Sequence, residues 1–417
     1  MAAQNGHPEL VADFLDIWDG WPMDEKCGAL RTAASEWHYN VVSLLLAKVP
    51  YEADAVQAAL EVSVARGPIL PVALWVSRQP ITTPEDDLRL QSMVCRLIDA
   101  GANPAGSLNL YSRLPLLHLA ALSGHRIGAL KGLLEKGANA NIQDKSGKTA
   151  LHVLFHRPSS SKTMAALGAL LQYGASPEIA NKAGETALHA VAHTGTLEQL
   201  QLCLASCRDA DAALRLRTPH EESLLHFAAA GGREDIIEFL LSRGLDVNSV
   251  NANGWTPLIC ALMPTNLKRV YPQYSLASLL LQQGANAQAV TDEGWTALHG
   301  LASYYRGTGH FKSPPENWEG VAPLVQELIS RGAPLDAESS VLQSRFATPR
   351  TLITSNAWGI RMRWFAQEAA ATSSSTETPG TVEDLDTTPH MWAYRTGAME
   401  VFETILAHWA SATEGKS

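Results

Sequence analysis

Four segments of this chain begin alike: Gly147-Lys-Thr-Ala-Leu-His152, Gly184-Glu-Thr-Ala-Leu-His189, Gly254-Trp-Thr-Pro-Leu-Ile259 and Gly294-Trp-Thr-Ala-Leu-His299. Ser223-Leu-Leu-His226 and Pro115-Leu-Leu-His118 are looser copies. Leucine-rich runs lie between them and end on a glycine. Gly101, Gly137, Gly174, Gly284 and Gly332 each open a Gly-Ala step, and Gly244 opens a Gly-Leu step. The intervals between these glycines are 36, 37, 70, 40 and 48 residues. A period in the thirties predicts stacked supersecondary units, each burying its apolar face on its neighbour, in place of one globular core.

The copies carry their own local physics. A Thr or Ser hydroxyl caps the first free amides of a helix. Ala or Pro follows at the first helical position, where no amide bond is lost. The glycine after the second helix supplies a left-handed C-cap. The Ala-Asn or Leu-Asp stretch behind it turns toward the next unit.

On these residues the chain resembles the ankyrin repeat family. The family start T-P-L-H-x-A is matched at Thr256-Pro-Leu, by the Thr-Ala-Leu-His copies and by Thr388-Pro-His-Met391. The family ending L-L-x-x-G-A is matched at Leu133 to Ala138 and Leu280 to Ala285. The resemblance covers roughly residues 27 to 410 in about ten units. It implies an all-α solenoid of helix–turn–helix plus hairpin units with a concave groove. It also implies that His118, His152, His189, His226 and His299 are structural, tying neighbouring units by hydrogen bonds.

The organisation that follows has six parts. Residues 1–26 hold an N-terminal capping helix, with Leu10, Val11, Phe14, Leu15 and Trp18 on its covering face. Residues 27–104 hold divergent units, and 105–340 the core repeats. A degraded repeat occupies 341–371. Residues 372–387, rich in Ser, Thr, Asp and Glu, read as a flexible polar loop, and 388–417 as a C-terminal capping repeat.

The distance from motif His to closing glycine varies. It is 18 residues for His226 to Gly244, and 33 for His299 to Gly332. The extra residues fall at the turn between the two helices: Gly67 to Asp87, Arg157 to Lys162, Pro264 to Ser275 and Tyr304 to Gly320. Insertions at one edge of a solenoid build a wall beside the groove and often mark a binding face. A turn also tolerates extra residues cheaply, since loop entropy grows slowly with length.

By the resemblance, partners touch the residues flanking the hairpin glycine and those just after the motif His. That gives His156, His193, Asn253, Trp255, Met263, Asp292, Glu293, Trp295 and Tyr304, with Tyr305, Arg306, His310 and Trp318 from the longest insertion. Trp and Tyr dominate interface energetics. Two readings stand. In one, the aromatic groove holds a protein or peptide. In the other, a small molecule sits behind the insertions, with His156, His193, Asp292 and Tyr304 as acid–base candidates.

Composition narrows the field. The net charge is -10 and no basic block stands out, so neither nucleic acid nor an anionic membrane is an expected partner. The sequence carries no P-loop, dinucleotide fingerprint, nucleophile elbow or H-E-x-x-H. No cofactor and no metal are expected. The five cysteines are odd in number and widely spaced, which does not read as a disulfide framework. Cys203 and Cys207, four apart, read as small buried hydrophobes. Residues 1–10 lack a basic and apolar leader pattern, and a cytoplasmic location is expected.

Overall fold

A computed structural model describes residues 1–18, 20–65, 84–108, 114–123, 127–155, 161–262, 274–302, 322–337, 339–340, 386–387, 389, 401 and 403–408. The bulk of all four insertions lies outside these residues. So do the expected degraded repeat at 341–371 and most of the polar loop and C-terminal repeat behind it. The fold is helical, with two antiparallel pairings of two residues each, Ser107–Leu108 with Leu114–Pro115 and Ser339–Ser340 with Asp386–Thr387. The chain divides into two compact units. One comprises Met1–Lys182 with Gln201–Arg208, the other Ala183–Leu200 with Asp209–Ser417.

The first unit contains α1 (Pro8–Ile17), α2 (Met23–Ser35), α3 (Tyr39–Lys48), α4 (Ala53–Ala65), α5 (Pro84–Asp99), α6 (Leu116–Ser123), α7 (Ile127–Glu135), α8 (Ala150–Leu154) and α9 (Ser161–Gln172). Like packs on like: α2 on α4, α5 on α7, and α6 on α8. Gly128 and Gly132 let α7 lie close on α5. A Cβ on Gly128 would stand 1.8 Å from the Asp87 carbonyl oxygen, and one on Gly132 would stand 3.0 Å from a Val94 methyl.

The second unit contains α10 (Ala187–Thr194), α11 (Leu224–Gly231), α12 (Glu234–Ser242), α13 (Pro257–Leu262), α14 (Tyr274–Gln282), α15 (Ala297–Ala302) and α16 (Ala322–Ser330). The first helices of successive repeats form a continuous row, α10 on α11, α11 on α13, and α13 on α15. The motif leucines Leu188, Leu225, Leu258 and Leu298 are all buried in it. Each such burial is worth about 2 kcal/mol. α11 and α13 are apolar nearly all round because a helix of the row packs on either side of each.

Helix ends follow the repeated sequence. The Nδ1 of His152, His189, His226 and His299 accepts from the backbone N–H of the Thr or Ser three residues earlier, at 3.1, 3.2, 3.2 and 3.2 Å. The cap hydroxyl lies within 2.9 Å of the same nitrogen in each. The closing glycines Gly137, Gly174, Gly244, Gly284 and Gly332 all have positive φ, between 79° and 88°, the left-handed C-cap that only glycine adopts without strain.

One expectation about α1 is corrected. Val11 is buried and Leu15 half-buried, but Phe14 and Trp18 are 52% and 53% exposed, and Leu10 is 49% exposed. The helix packs on α3, and the stripe that is covered is narrower than the apolar arc of the sequence.

Candidate functional site: the hairpin tips

Between the helix pairs the chain makes tight turns whose tips are laddered backbone to backbone. In the first unit Lys182 N–H donates to the Ser146 carbonyl at 2.9 Å. In the second, Ala252 N–H donates to the His220 carbonyl at 2.8 Å, and Asp292 N–H to the Asn253 carbonyl at 3.1 Å. Each turn is also braced from within. Asn251 Oδ1 accepts from Asn253 N–H at 3.0 Å and from Trp255 N–H at 2.9 Å. Thr291 Oγ1 accepts from Trp295 N–H at 2.9 Å. Asp144 Oδ1 does the same for Ser146 and Lys148, both at 2.8 Å.

The exposed side chains on these tips are Lys145, Ser146 and Lys182 in the first unit, and Pro219, Glu221, Ala252 and Asp292 in the second. The first set is basic and the second acidic. Glu221 is the exception to the turn chemistry. It occupies the place that Gly147, Gly184, Gly254 and Gly294 fill elsewhere, and it takes the same left-handed backbone with φ 60°. A non-glycine residue there is strained by on the order of 1 kcal/mol. The turn holds it with Glu221 N–H donating to the Thr218 carbonyl at 2.8 Å and Arg217 Nη1 donating to the Glu221 carbonyl at 2.7 Å.

Burial separates the site residues expected from the sequence. Trp255 and Trp295 are 3% and 2% exposed, so neither indole presents a face to a partner. This overturns their placement as an exposed aromatic pair. Trp295 packs edge-on against the His299 ring at 5.5 Å. The indole N–H of Trp255 is buried without a hydrogen-bond partner among the described residues. The residue after the tip glycine turns inward to begin the capped helix, which is why both tryptophans are packing residues.

Asn253 is half-buried and Asp292 exposed. Glu293 is half-buried as a residue, but both carboxylate oxygens are shielded and lack a hydrogen-bond partner among the described residues. Burial, and then the adjacent Asp292 charge, push its carboxyl above the ordinary value. His193 is half-buried in the last turn of α10, in a different repeat from that acidic pair. Its carbonyl oxygen would stand 2.0 Å from a Cβ on Gly231. His156, Met263, Tyr304, Tyr305, Arg306, His310 and Trp318 lie outside the described residues.

The motif histidines act in the scaffold. His118 Nε2 lies 2.6 Å from the Lys148 carbonyl and His226 Nε2 lies 3.0 Å from the Trp255 carbonyl, each reaching the next repeat. Sequence reasoning missed two further bridges. Asn141 donates to the Gly174 carbonyl at 2.9 Å and accepts from Ser176 N–H at 2.7 Å. Asn248 makes the same pair with Gly284 at 3.0 Å and Asn286 at 2.7 Å. Both asparagines stand four residues after a closing glycine, a signal that was available. Cys203 and Cys260 are buried, and burial pushes the Cys203 thiol up to about 12 and Cys260 well above its ordinary value, which makes them inert packing groups. Cys207 is only half-buried. Among the described residues no three His, Cys, Asp or Glu side chains gather to hold a metal ion, and no helix is long and apolar enough to cross a membrane.

The repeats themselves are recognisable. The ankyrin repeats family model matches three times, at residues 155–251, 204–270 and 225–312. The matched stretch, residues 155–312, is similar to ankyrin repeats, which generally serve as protein-binding scaffolds. It is similar to the ankyrin repeat domain of Bcl-3, described as a unique member of the IkappaB protein family, at 26% identity. That match spans 59% of this chain and 97% of that one with a TM-score of 0.37. A search of curated proteins finds no match.

Proposed function

We propose that this chain is an interaction module that holds a protein or peptide partner on its hairpin tips. The observation that carries the reading is Glu221. An exposed glutamate stands in a left-handed turn position where three neighbouring turns of the same unit use glycine. Among the described residues its carboxylate makes no ion pair or hydrogen bond, which leaves the charge for a surface task. Asp292 is exposed on a further tip, and the backbone ladder joins successive tips. Rigid, outward side chains cost little ordering on binding. The partner segment for this unit is basic. The contact is polar and charged at the tips, with Trp255 and Trp295 as the packing beneath.

The test is site-specific photo-cross-linking in extract of the source cells. A photoreactive residue at Ala252 or Asp292 should capture a discrete partner band. The same residue at Glu238, on the exposed side of α12, should not. Equal capture from both positions would overturn the tip assignment.

A second reading rests on Glu293. A carboxyl that keeps its proton above the ordinary range, with shielded oxygens, is chemically suited to donate a proton or hydrogen bond to a small ligand. Native mass spectrometry of the purified chain tests it. A bound small molecule lost in Glu293→Gln supports this reading, and a bare mass in the wild type contradicts it.

A further inference from the structure

The first unit carries a surface that the tip row does not use. Along α1, Leu10, Phe14 and Ile17 follow one another at helical spacing and are 49%, 52% and 82% exposed. Trp18, at the end of the helix, is 53% exposed. Solvent-exposed apolar residues are ordinary singly, but four along one helix mark a contact surface. The stripe borders a cleft of about 490 Å³, whose lining includes Val11, Phe14, Leu15, Trp21, Ala29 and Leu45.

The aromatic edge is built, with its rings fixed. Trp21 Nε1 donates to the Phe14 carbonyl at 3.1 Å, and its ring meets Phe14 edge-on at 6.4 Å and Trp18 at 5.1 Å. Gly20 lies so close beneath Trp18 that a Cβ there would stand 2.7 Å from the indole nitrogen.

Charge says what fits. Glu9, Asp13 and Asp16 each precede a residue of the apolar stripe by one position, so an acidic row runs beside it for the length of the helix. All three are exposed. Asp16 also takes a 2.5 Å ion pair from Lys48. Asp24 and Glu25 add exposed acid at the start of α2. A second copy of this chain would bring its own Glu9, Asp13 and Asp16 to the seam, which like-charge repulsion disfavours. A small molecule would fill the cleft but leave Leu10 and Ile17 in water.

We propose that the α1 stripe and its cleft dock an amphipathic helix of a partner protein, with apolar residues at i, i+4 and i+7 and a basic flank facing Glu9, Asp13 and Asp16. This is the helix-in-groove mode, with the flanking charges setting partner choice and register.

The probe is a synthetic helical peptide of about four turns, with Leu at that spacing and Lys beside each Leu, and a companion carrying Glu in place of Lys. Binding to the full chain is read by fluorescence anisotropy. The Lys peptide should bind at least about tenfold tighter than the Glu peptide. Phe14→Ala should lower Lys-peptide affinity about tenfold with an unchanged melting temperature, because the side chain is half exposed. The double variant Glu9→Lys with Asp13→Lys should reverse the preference. Equal binding of both peptides, or unchanged binding by Phe14→Ala, would overturn the proposal. Self-association abolished by Phe14→Ala would overturn it in favour of a second copy.

Discussion

The imidazole of His226 spans two repeats: its Nδ1 takes the backbone N–H of Ser223 at 3.2 Å while its Nε2 reaches the Trp255 carbonyl at 3.0 Å. The first bond requires Nδ1 to be an acceptor. The ring is therefore neutral with its proton on Nε2, where it donates to Trp255. Protonating Nδ1 would break the cap and charge a group that is fully buried.

That geometry sets a pH dependence. Burial lowers the His226 pKa to about 4, and burial also lowers that of His118. The unfolded ring takes its proton near pH 6.5. Stability is then complete above that value and is lost as pH falls toward 4, because the unfolded chain binds more protons across the window. Urea unfolding should show a loss on the order of 3 kcal/mol from His226 between pH 7 and pH 4. His226→Gln should be less stable at pH 7 and show that much less acid sensitivity. Parallel pH curves for the two proteins would contradict the tautomer assignment.

Two glycines with the same backbone should respond differently to a methyl group. Gly244 and Gly184 have φ 80° and 78°. A Cβ on Gly244 meets nothing within 4 Å, whereas one on Gly184 would stand 2.0 Å from Pro219 Cδ. Gly244→Ala should cost about 1 kcal/mol for the left-handed conformation alone. Gly184→Ala should cost at least twice that, since the tip of the next turn must move. Equal midpoints in denaturant would show that the turns are not in contact.

Truncating the tip tryptophans should damage the fold. Trp255→Ala and Trp295→Ala each leave a large cavity in a buried site and should cost about 3–5 kcal/mol. Chemical denaturation measures this directly. A loss under 1 kcal/mol for either would return that indole to the surface.

How far the sequence went is visible in these residues. The Thr-x-x-His starts and closing glycines were legible because each acts within a few residues, so the local motif contains its own cause. Burial of Trp255 and Trp295 was not, because a large aromatic after a turn glycine serves equally as a cap on the core or as a contact. The difference depends on which way the chain enters the next helix. The exposure of the α1 stripe was hidden for a related reason. Leu10, Val11, Phe14, Leu15 and Trp18 span a wide apolar arc, and periodicity says nothing about how much of an arc is covered. The register of Glu221, five residues before His226 where other copies have glycine, was legible in the sequence, but that the backbone there stays left-handed with a glutamate, at φ 60°, was not.

Glu293 should give a pH trend of opposite sign to His226. Its carboxyl is raised by burial and by Asp292, so the folded form holds its proton more tightly than the unfolded chain does. Its contribution is whole below the ordinary carboxylate value and is lost as pH rises through the folded one. Comparing wild type with Glu293→Gln from pH 4 to pH 7 isolates it. The variant should lose less stability on going up in pH. If the two differ by a constant amount at every pH, the carboxyl is not shielded as described.

The central claim is that the tips serve a partner at some expense to the fold, and Glu221→Gly tests it with two readouts on one protein. Glycine relieves a φ of 60°, so urea unfolding should show a gain of about 1 kcal/mol. Titration against the partner captured by tip cross-linking should show affinity falling by about tenfold, the equivalent of ~1.4 kcal/mol. A more stable protein that binds less well is the result expected of a contact residue held under strain. A more stable protein that binds its partner as tightly as before would contradict the claim.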